Sequence, residues 1–341
     1  MRWRNRPEGS NWGEFGPDDE RGRLNLLTPE KVLQGVAEVK VGRSFCLSLP
    51  LDYPGGNVLN PLRHPPRRFA AVRNDRLNYN FALRDHNPDF TDVVCDDAVL
   101  LYTQYSTQWD SLAHVGSVFD ADGDGVPEPV YYNGWRAGEH VIGPAGERHG
   151  DLVEGAYAHR LGIERMAETG VQGRAVLIDL EKHIGRERVA VGYDQLMEIC
   201  RADGVVVEKG DMVAFYTGFA DVLLEMGRQP DKARLANSCA VLDGRDPKLL
   251  QWITDSGLSV LIADNYAVEA FPAKPGHGAC AALPLHEHCL FKLGVHLGEL
   301  WYLTELALWL REHGRNRFLL TAPPLRLPGA VGSPVTPVAT V

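Results

Sequence analysis

Residues 175–217 decide the fold: Ala175-Val-Leu-Ile-Asp-Leu180, then Tyr193-Asp-Gln-Leu-Met-Glu-Ile-Cys-Arg-Ala-Asp203, then Asp211-Met-Val-Ala-Phe-Tyr-Thr217. The first and last are short apolar runs, the form taken by buried strands. The middle segment reads as a helix closing at Gly204, and Lys209-Gly210 makes the turn into the second strand. Downstream, Lys248–Asp255 reads as a helix and Leu258–Ala263 as a β-rich run. His286–Leu293 and Leu300–His313 read as helical or partly helical, and Phe318–Leu320 as a last strand. Upstream, Thr28 is a good N-cap and Pro29 a good first residue for a short helix. Glu154–Thr169 reads as a helix ending at Gly170. Strands alternating with helices predict an α/β fold, a mixed β-sheet core flanked by helices.

Two stretches break this rhythm. Residues 51–97 are rich in Pro, Asn, Asp and Arg and form a long irregular excursion, and residues 120–150 form a second loop. The Pro-rich tail from Ala322 to Val341 reads as an irregular end containing a turn at Gly329–Pro334. There is no internal repeat, and no break in composition marks a linker. Residues 1–341 therefore read as one domain with long N-terminal and 51–97 excursions.

The formal charge of −10 argues against nucleic acid or an anionic membrane as a partner. The basic stretch Arg63–Arg68 is short and broken by proline, as in a solvated loop. Six cysteines, at 46, 95, 200, 239, 280 and 289, form no Cys-x-x-Cys pair, and their neighbours suit buried thiols in a reducing compartment. The first residues lack the apolar core of a signal peptide, and no stretch has the apolar length of a membrane span. The expectation is a cytoplasmic protein. P-loop, Gly-x-Gly-x-x-Gly and Gly-x-Ser-x-Gly patterns are all missing from the sequence, which disfavours nucleotide cofactors and a serine nucleophile elbow.

Three polar constellations carry possible chemistry. The first is Gln104-Tyr-Ser-Thr-Gln-Trp-Asp-Ser-Leu-Ala-His114, predicted as a strand. Gln104, Ser106, Gln108 and Asp110 would share one face, with Tyr105, Thr107 and Trp109 on the other. A solvent-facing edge strand is the alternative. His114, four residues past Asp110, favours a site in which a carboxylate orients an imidazole or binds a cation. The second is His286-Glu287-His288 with His296 and Glu299. His286 and His288 would point to different sides of a helix, so one of them, with Glu299, would face Asp110. A surface histidine pair and a structural carboxylate are the alternative. The third is Asp120-Ala-Asp122-Gly-Asp124-Gly125, which opens like a calcium loop but has Tyr131 where the closing glutamate belongs. A tight Asx-turn loop explains it equally. Cys289, beside the histidines, reads as a buried structural thiol.

Several motifs in order carry a family resemblance: Asn11-Trp12-Gly13, Gly16-Pro-Asp-Asp19, Thr28-Pro-Glu-Lys31, Lys209-Gly-Asp211 running into Tyr216-Thr-Gly218, Gly298-Glu-Leu-Trp301, and Pro324-Leu-Arg326 through Gly332-Ser-Pro334. With them the chain resembles the cyclase family that includes bacterial kynurenine formamidase and isatin hydrolase, in its longer branch. The resemblance implies a swivelling β/β/α fold and a homodimer or homotetramer. It also implies hydrolysis of an amide, lactam or lactone bond in a small cyclic or aromatic substrate. The family signature is His-x-Gly-Thr-His-x-Asp-x-x-x-His, against Gln104-x-Ser106-Thr107-Gln108-x-Asp110-x-x-x-His114 here. Thr107, Asp110 and His114 match, while both metal-ligand histidines are glutamine.

The resemblance thus assigns Asp110, His286 (or His288) and Glu299 to a metal. It makes His114, Asp110 and Glu299 catalytic, and Gln104, Gln108 and Trp109 are expected to bind substrate. A glutamine offers a neutral oxygen where zinc prefers nitrogen or sulfur, so the expected cofactor is a divalent ion (manganese, zinc or magnesium) or none. Calcium at Asp120, Asp122 and Asp124 is a separate reading. Two further functions fit the same residues: a metal-free lyase or dehydratase, and a catalytically inactive protein that binds a small molecule.

Overall fold

The computed structural model describes residues 2–341. Nine strands build its central sheet: β1 (Ser44–Cys46), β2 (Gln108–Asp110), β3 (Gln172–Asp179), β4 (Met212–Tyr216), β5 (Val260–Ala263), β6 (His296–Glu299), β7 (Arg317–Thr321), β8 (Gly332–Pro334) and β9 (Val338–Thr340). Their order is β1-β9-β7-β3-β4-β5-β6-β2-β8. The middle four, β3 to β6, run parallel, and every pairing outside them is antiparallel.

The apolar runs of β3, β4 and β5 are explained by burial on both sides. Val176, Ile178, Val213, Phe215 and Leu261 pack under α2 (Tyr193–Ala202) and α3 (Pro247–Ser256), where they meet Leu196, Ile199, Leu249 and Ile253. Their alternates Ala175, Leu177, Met212, Ala214 and Ile262 face the other way, toward Leu306 and Leu310 of α4 (Thr304–Glu312). Mid-strand positions covered on both faces take apolar side chains, hence Ala175–Ile178, while Arg174 and Asp179 on either side of that run are paired with Asp211 and Arg311.

The N-terminal motifs prove to be braces. Trp12 Nε1 donates to the Phe291 carbonyl at 2.8 Å and Asn11 Nδ2 to the Leu293 carbonyl at 2.9 Å. Gly22 lies against the backbone of Gly294, where a Cβ would collide with the carbonyl. Helix α1 (Pro29–Ala37) is capped by Thr28 and sits close on β3, because Gly35 would meet the Gly173 backbone at 2.7 Å if it carried a Cβ. Its Lys31 reaches Asp211 at 2.8 Å, and Arg174 binds the same carboxylate through Nε at 2.8 Å and Nη2 at 3.0 Å. Asp211 is fully buried. Asp211→Ala removes the buried partner of Lys31 and Arg174, leaves them only the half-exposed Glu208, and lowers the unfolding free energy by about 3 kcal/mol. Urea denaturation checks this; a loss under about 1 kcal/mol would show that the pairing does not hold α1 to the sheet.

Several sequence expectations need correction. Only Gln108–Asp110 of the Gln104–His114 segment is strand, and it lies between two partners, not at a solvent edge. Residues 104–107 turn instead, tied by Thr107, whose hydroxyl donates to the Leu300 carbonyl at 2.5 Å and accepts the Leu49 N–H at 2.9 Å. Of Glu154–Thr169, only Glu164–Ala167 is helical, and Tyr157–Ala158 is a short strand paired with Val141–Ile142. The 51–97 excursion contains short hairpins, including Arg67–Ala70 paired with Asp97–Leu100 and exposed throughout. The tail is not an irregular end, since it supplies β8 and β9. Three of the six cysteines (46, 95 and 280) are exposed, not buried. No helix among the described residues is long and apolar enough to cross a membrane.

Candidate active site

Strands β2 and β6 lie antiparallel, with Gln108 opposite Glu299 and Asp110 opposite Leu297. Gln108 and Asp110 share a face, so both side chains meet Glu299. His286 arrives from the turn of helix before a π-helix at Glu287–Leu293. A single buried carboxylate, Glu269, sets that turn. It accepts the N–H groups of Leu285 at 3.0 Å and His286 at 2.9 Å, together with His286 Nδ1 at 2.8 Å. This leaves His286 Nε2 aimed at Glu299 Oε1, 3.2 Å away. Asp110, His286 and Glu299 converge with one ligand atom each within 4.8 Å of the others, and all three are buried.

Three acids and one imidazole in a dry pocket cannot all take their ordinary charges. Burial and the neighbouring Glu299 push the Asp110 carboxyl up to about 8. Burial opposes the charge on His286, but hydrogen bonds to Glu269 and Glu299 outweigh it and raise the imidazole to about 10. Burial would also raise Glu299, yet its hydrogen bond and charge interaction with His286 bring it below the usual carboxylate range.

Gln108 has two ways to sit in this field. In one, its Nε2 is 3.4 Å from Asp110 Oδ1 and 3.3 Å from Glu299 Oε2. In the other, the amide nitrogen donates to the carbonyls of Ser106 at 3.2 Å and Gln104 at 2.5 Å, and the amide oxygen faces the two carboxylates. The second gives the better hydrogen bonds. It is favourable when a proton or cation stands between the oxygens.

His114 lies just outside the cluster, its Nε2 3.8 Å from Asp110 Oδ1 and its side chain 22% exposed. That separation exceeds a hydrogen bond. The Gln104 amide is 3.3 Å from His114 Nδ1; the proton-accepting tautomer donates Nδ1–H to that amide and keeps the Nε2 lone pair on the side of Asp110. Burial, then the charges of His286 and Arg63, lower the His114 imidazole to about 3 and keep it neutral. His114 also lines a cavity of about 960 Å³, with Val115, Pro129, Val130 and Leu250 on its walls. It is thus the residue shared by the open cavity and the surroundings of the closed cluster.

Not every residue singled out in the sequence joins this site. Trp109 points away, fully buried in the opposite core, with Nε1 bound to the Ala322 carbonyl at 2.8 Å and its ring edge-on to Trp301. It cannot touch substrate; the strand's own alternation puts it there. His288 turns to Thr254, 2.9 Å away, which removes it as the alternative to His286. Gln104 is occupied by Thr103 and His114, so it supports the histidine. Asp120, Asp122 and Asp124 do cluster, but Asp120 accepts the N–H groups of Gly123, Asp124 and Gly125, and Asp122 pairs with Arg136. Those bonds are the Asx-turn arrangement. Glu269 was missed by sequence reasoning. Its one signal was a lone acid within Ala267-Val-Glu-Ala270, where a buried charge needs a partner.

The donor set tests whether a divalent ion fits. Asp110 Oδ2 is buried with no hydrogen-bond partner, an orphan that a cation would satisfy. His286 donates through Nδ1 to Glu269, as histidine ligands do, and its Nε2, 3.2 Å from Glu299 Oε1, would lose its proton to a bound cation and serve as a nitrogen donor. With two carboxylates, one imidazole and the Gln108 amide oxygen available, the residues fit a hard or borderline divalent cation.

Comparison with known proteins agrees with this fold. A family model described as "Putative cyclase" matches residues 47–270. A solved structure of a novel cyclase aligns over 97% of both chains at 28% identity and a TM-score of 0.74. Isatin hydrolase A from Ralstonia solanacearum aligns over 92% of this chain and 97% of its own, at 15% identity and a TM-score of 0.56. The corresponding enzyme from Labrenzia aggregata, solved with benzyl benzoate, aligns over 91% and 97% at 14% identity and a TM-score of 0.54. No curated protein matches the chain. With the model spanning well over half of its length, the chain belongs to the cyclase family.

Proposed function

We propose that this protein is a hydrolase that opens the amide, lactam or lactone bond of a small cyclic or aromatic substrate. One observation carries the reading: His114 stands between an open cavity and a buried group of acids, 3.8 Å from Asp110. A substrate carbonyl entering from the cavity meets a neutral imidazole. Water adds to the carbonyl carbon and gives its proton to His114. The carbon–nitrogen or carbon–oxygen bond then breaks, and His114 returns the proton to the departing atom. Gln104 keeps the ring oriented through Nδ1.

Asp110, His286 and Glu299 would hold a divalent cation, with the Gln108 oxygen as a further donor. When bound, the cation polarises the carbonyl and lowers the pKa of water. The oxygen-rich set favours magnesium or manganese more than zinc-type sites do. Glu269 pins His286 so that its Nε2 is directed at Glu299.

The test is a panel of N-formyl aromatic amines, cyclic imides, lactams and lactones, assayed with EDTA-treated protein and then with added magnesium or manganese. Cation-dependent ring opening or deformylation of at least one class is expected. Substrate binding without turnover under every cation would instead favour a binding protein. Turnover indifferent to EDTA, with loss of water rather than gain, would favour a metal-free lyase.

A further inference from the structure

The cavity beside His114 carries two cations that its own surface does not neutralise. Lys292, half-buried on the π-helix, makes no ion pair or side-chain hydrogen bond among the described residues. Arg245, on the same wall, spends its guanidinium on the carbonyls of Lys274 and Ala281 and on the Cys280 sulfur, with no carboxylate partner. Glu287 is the acid on that wall, and the Ser117 hydroxyl already donates to it at 2.6 Å. Two cations without a carboxylate partner, lining one cavity with a single acid, form a local positive field that attracts an anion.

Much of the remaining wall is apolar, beside Ser117, Tyr131 and His288. Val115, Pro129, Val130 and Leu250 offer surface for a flat hydrocarbon or aromatic body, and about 960 Å³ is room for a small molecule. We propose that the substrate is a monoanion, an aromatic or other apolar body bearing a carboxylate, and that Lys292, supported by Arg245, reads the carboxylate while the scissile carbonyl lies at His114. This inference rests on the proposed function in taking the cavity beside His114 as the substrate site. The anion is held at the cavity wall, apart from the buried acids. Lys292 is the specificity residue, because its ammonium is the cation left without a protein partner.

Benzoate and its neutral isostere benzamide are the probes, titrated into the metal-loaded protein by calorimetry. Benzoate is expected to bind about tenfold or more tighter than benzamide, the effect of one charge-assisted contact. Lys292→Ala should erase that difference and Lys292→Arg should restore most of it, with circular dichroism confirming the fold of each. Asp110→Asn separates this proposal from the catalytic reading. Benzoate binding retained in Asp110→Asn but lost in Lys292→Ala supports the wall site, even in a protein that turns nothing over. Equal binding of the two probes, or binding lost in Asp110→Asn and intact in Lys292→Ala, overturns it.

Discussion

Replacing His114 with alanine lowers kcat by about three orders of magnitude and leaves the unfolding transition where it was. The size follows from its role. General acid–base help is worth about 10²- to 10⁴-fold, and no other imidazole lines both the cavity and the edge of the acid cluster. His286 is pinned between Glu269 and Glu299, and His288 lies on the cavity wall bound to Thr254. The fold should tolerate the change because His114 is partly exposed and its one side-chain hydrogen bond is to Gln104. Gln104→Ala gives a smaller loss, about tenfold, since it frees the ring without removing it. Steady-state kinetics on the best substrate of the panel, with urea denaturation alongside, checks both. A kcat unchanged in His114→Ala would remove the proton-transfer role.

The second large effect is on metal choice. Gln108→His should raise zinc affinity about a hundredfold relative to magnesium. A structural zinc site with four ligands binds with about 10–16 kcal/mol, so one ligand is worth about 3 kcal/mol, or two orders of magnitude. Gln108 is the right position because it is buried, lies directly opposite Glu299, and brings its amide within 3.4 Å of both carboxylates. An imidazole there turns a site of carboxylate and amide oxygens with one nitrogen into one with two nitrogens. Adding Gln104→His should contribute less, because that side chain is engaged with His114 and packs against Gly332. Competition between zinc and magnesium, followed with a chelating indicator, measures the shift. Unchanged preference would mean that Gln108 does not face the ion.

How much of this was legible in the sequence depended on the kind of signal. The buried strands at 175–180, 211–217 and 258–263 were readable because burial on both faces leaves their centres apolar, with polar residues confined to the ends. Asp110, His286 and Glu299 were found through the pattern of titratable residues and the family motif, and the fold brings them together. Glu269 was not found, because its partners are backbone N–H groups and a histidine 17 residues away, which no local pattern encodes. The strand at Gln104–His114 was drawn too long. Polar residues at every second position imitate strand periodicity, but the partners β6 and β8 supply only short stretches, and Thr107 bends the chain toward Leu300. Trp109 was assigned to substrate although its alternation from Asp110 already put it on the core side. The tail strands were hidden by proline and glycine. They form because β8 lies at the end of the sheet, where Gly332 leaves room for the Gln104 amide and Ser333 donates its hydroxyl to the Pro334 carbonyl.

Those local features serve the proposed arrangement, in which Asp110, His286 and Glu299 would hold a cation beside His114. Calorimetric titration of EDTA-treated protein with manganese, in the intact chain and in Asp110→Asn, tests that arrangement most directly. One saturable site in the intact chain, weakened about a hundredfold or more by Asp110→Asn, is the predicted result. No saturable binding, or binding that Asp110→Asn leaves unchanged, would contradict it.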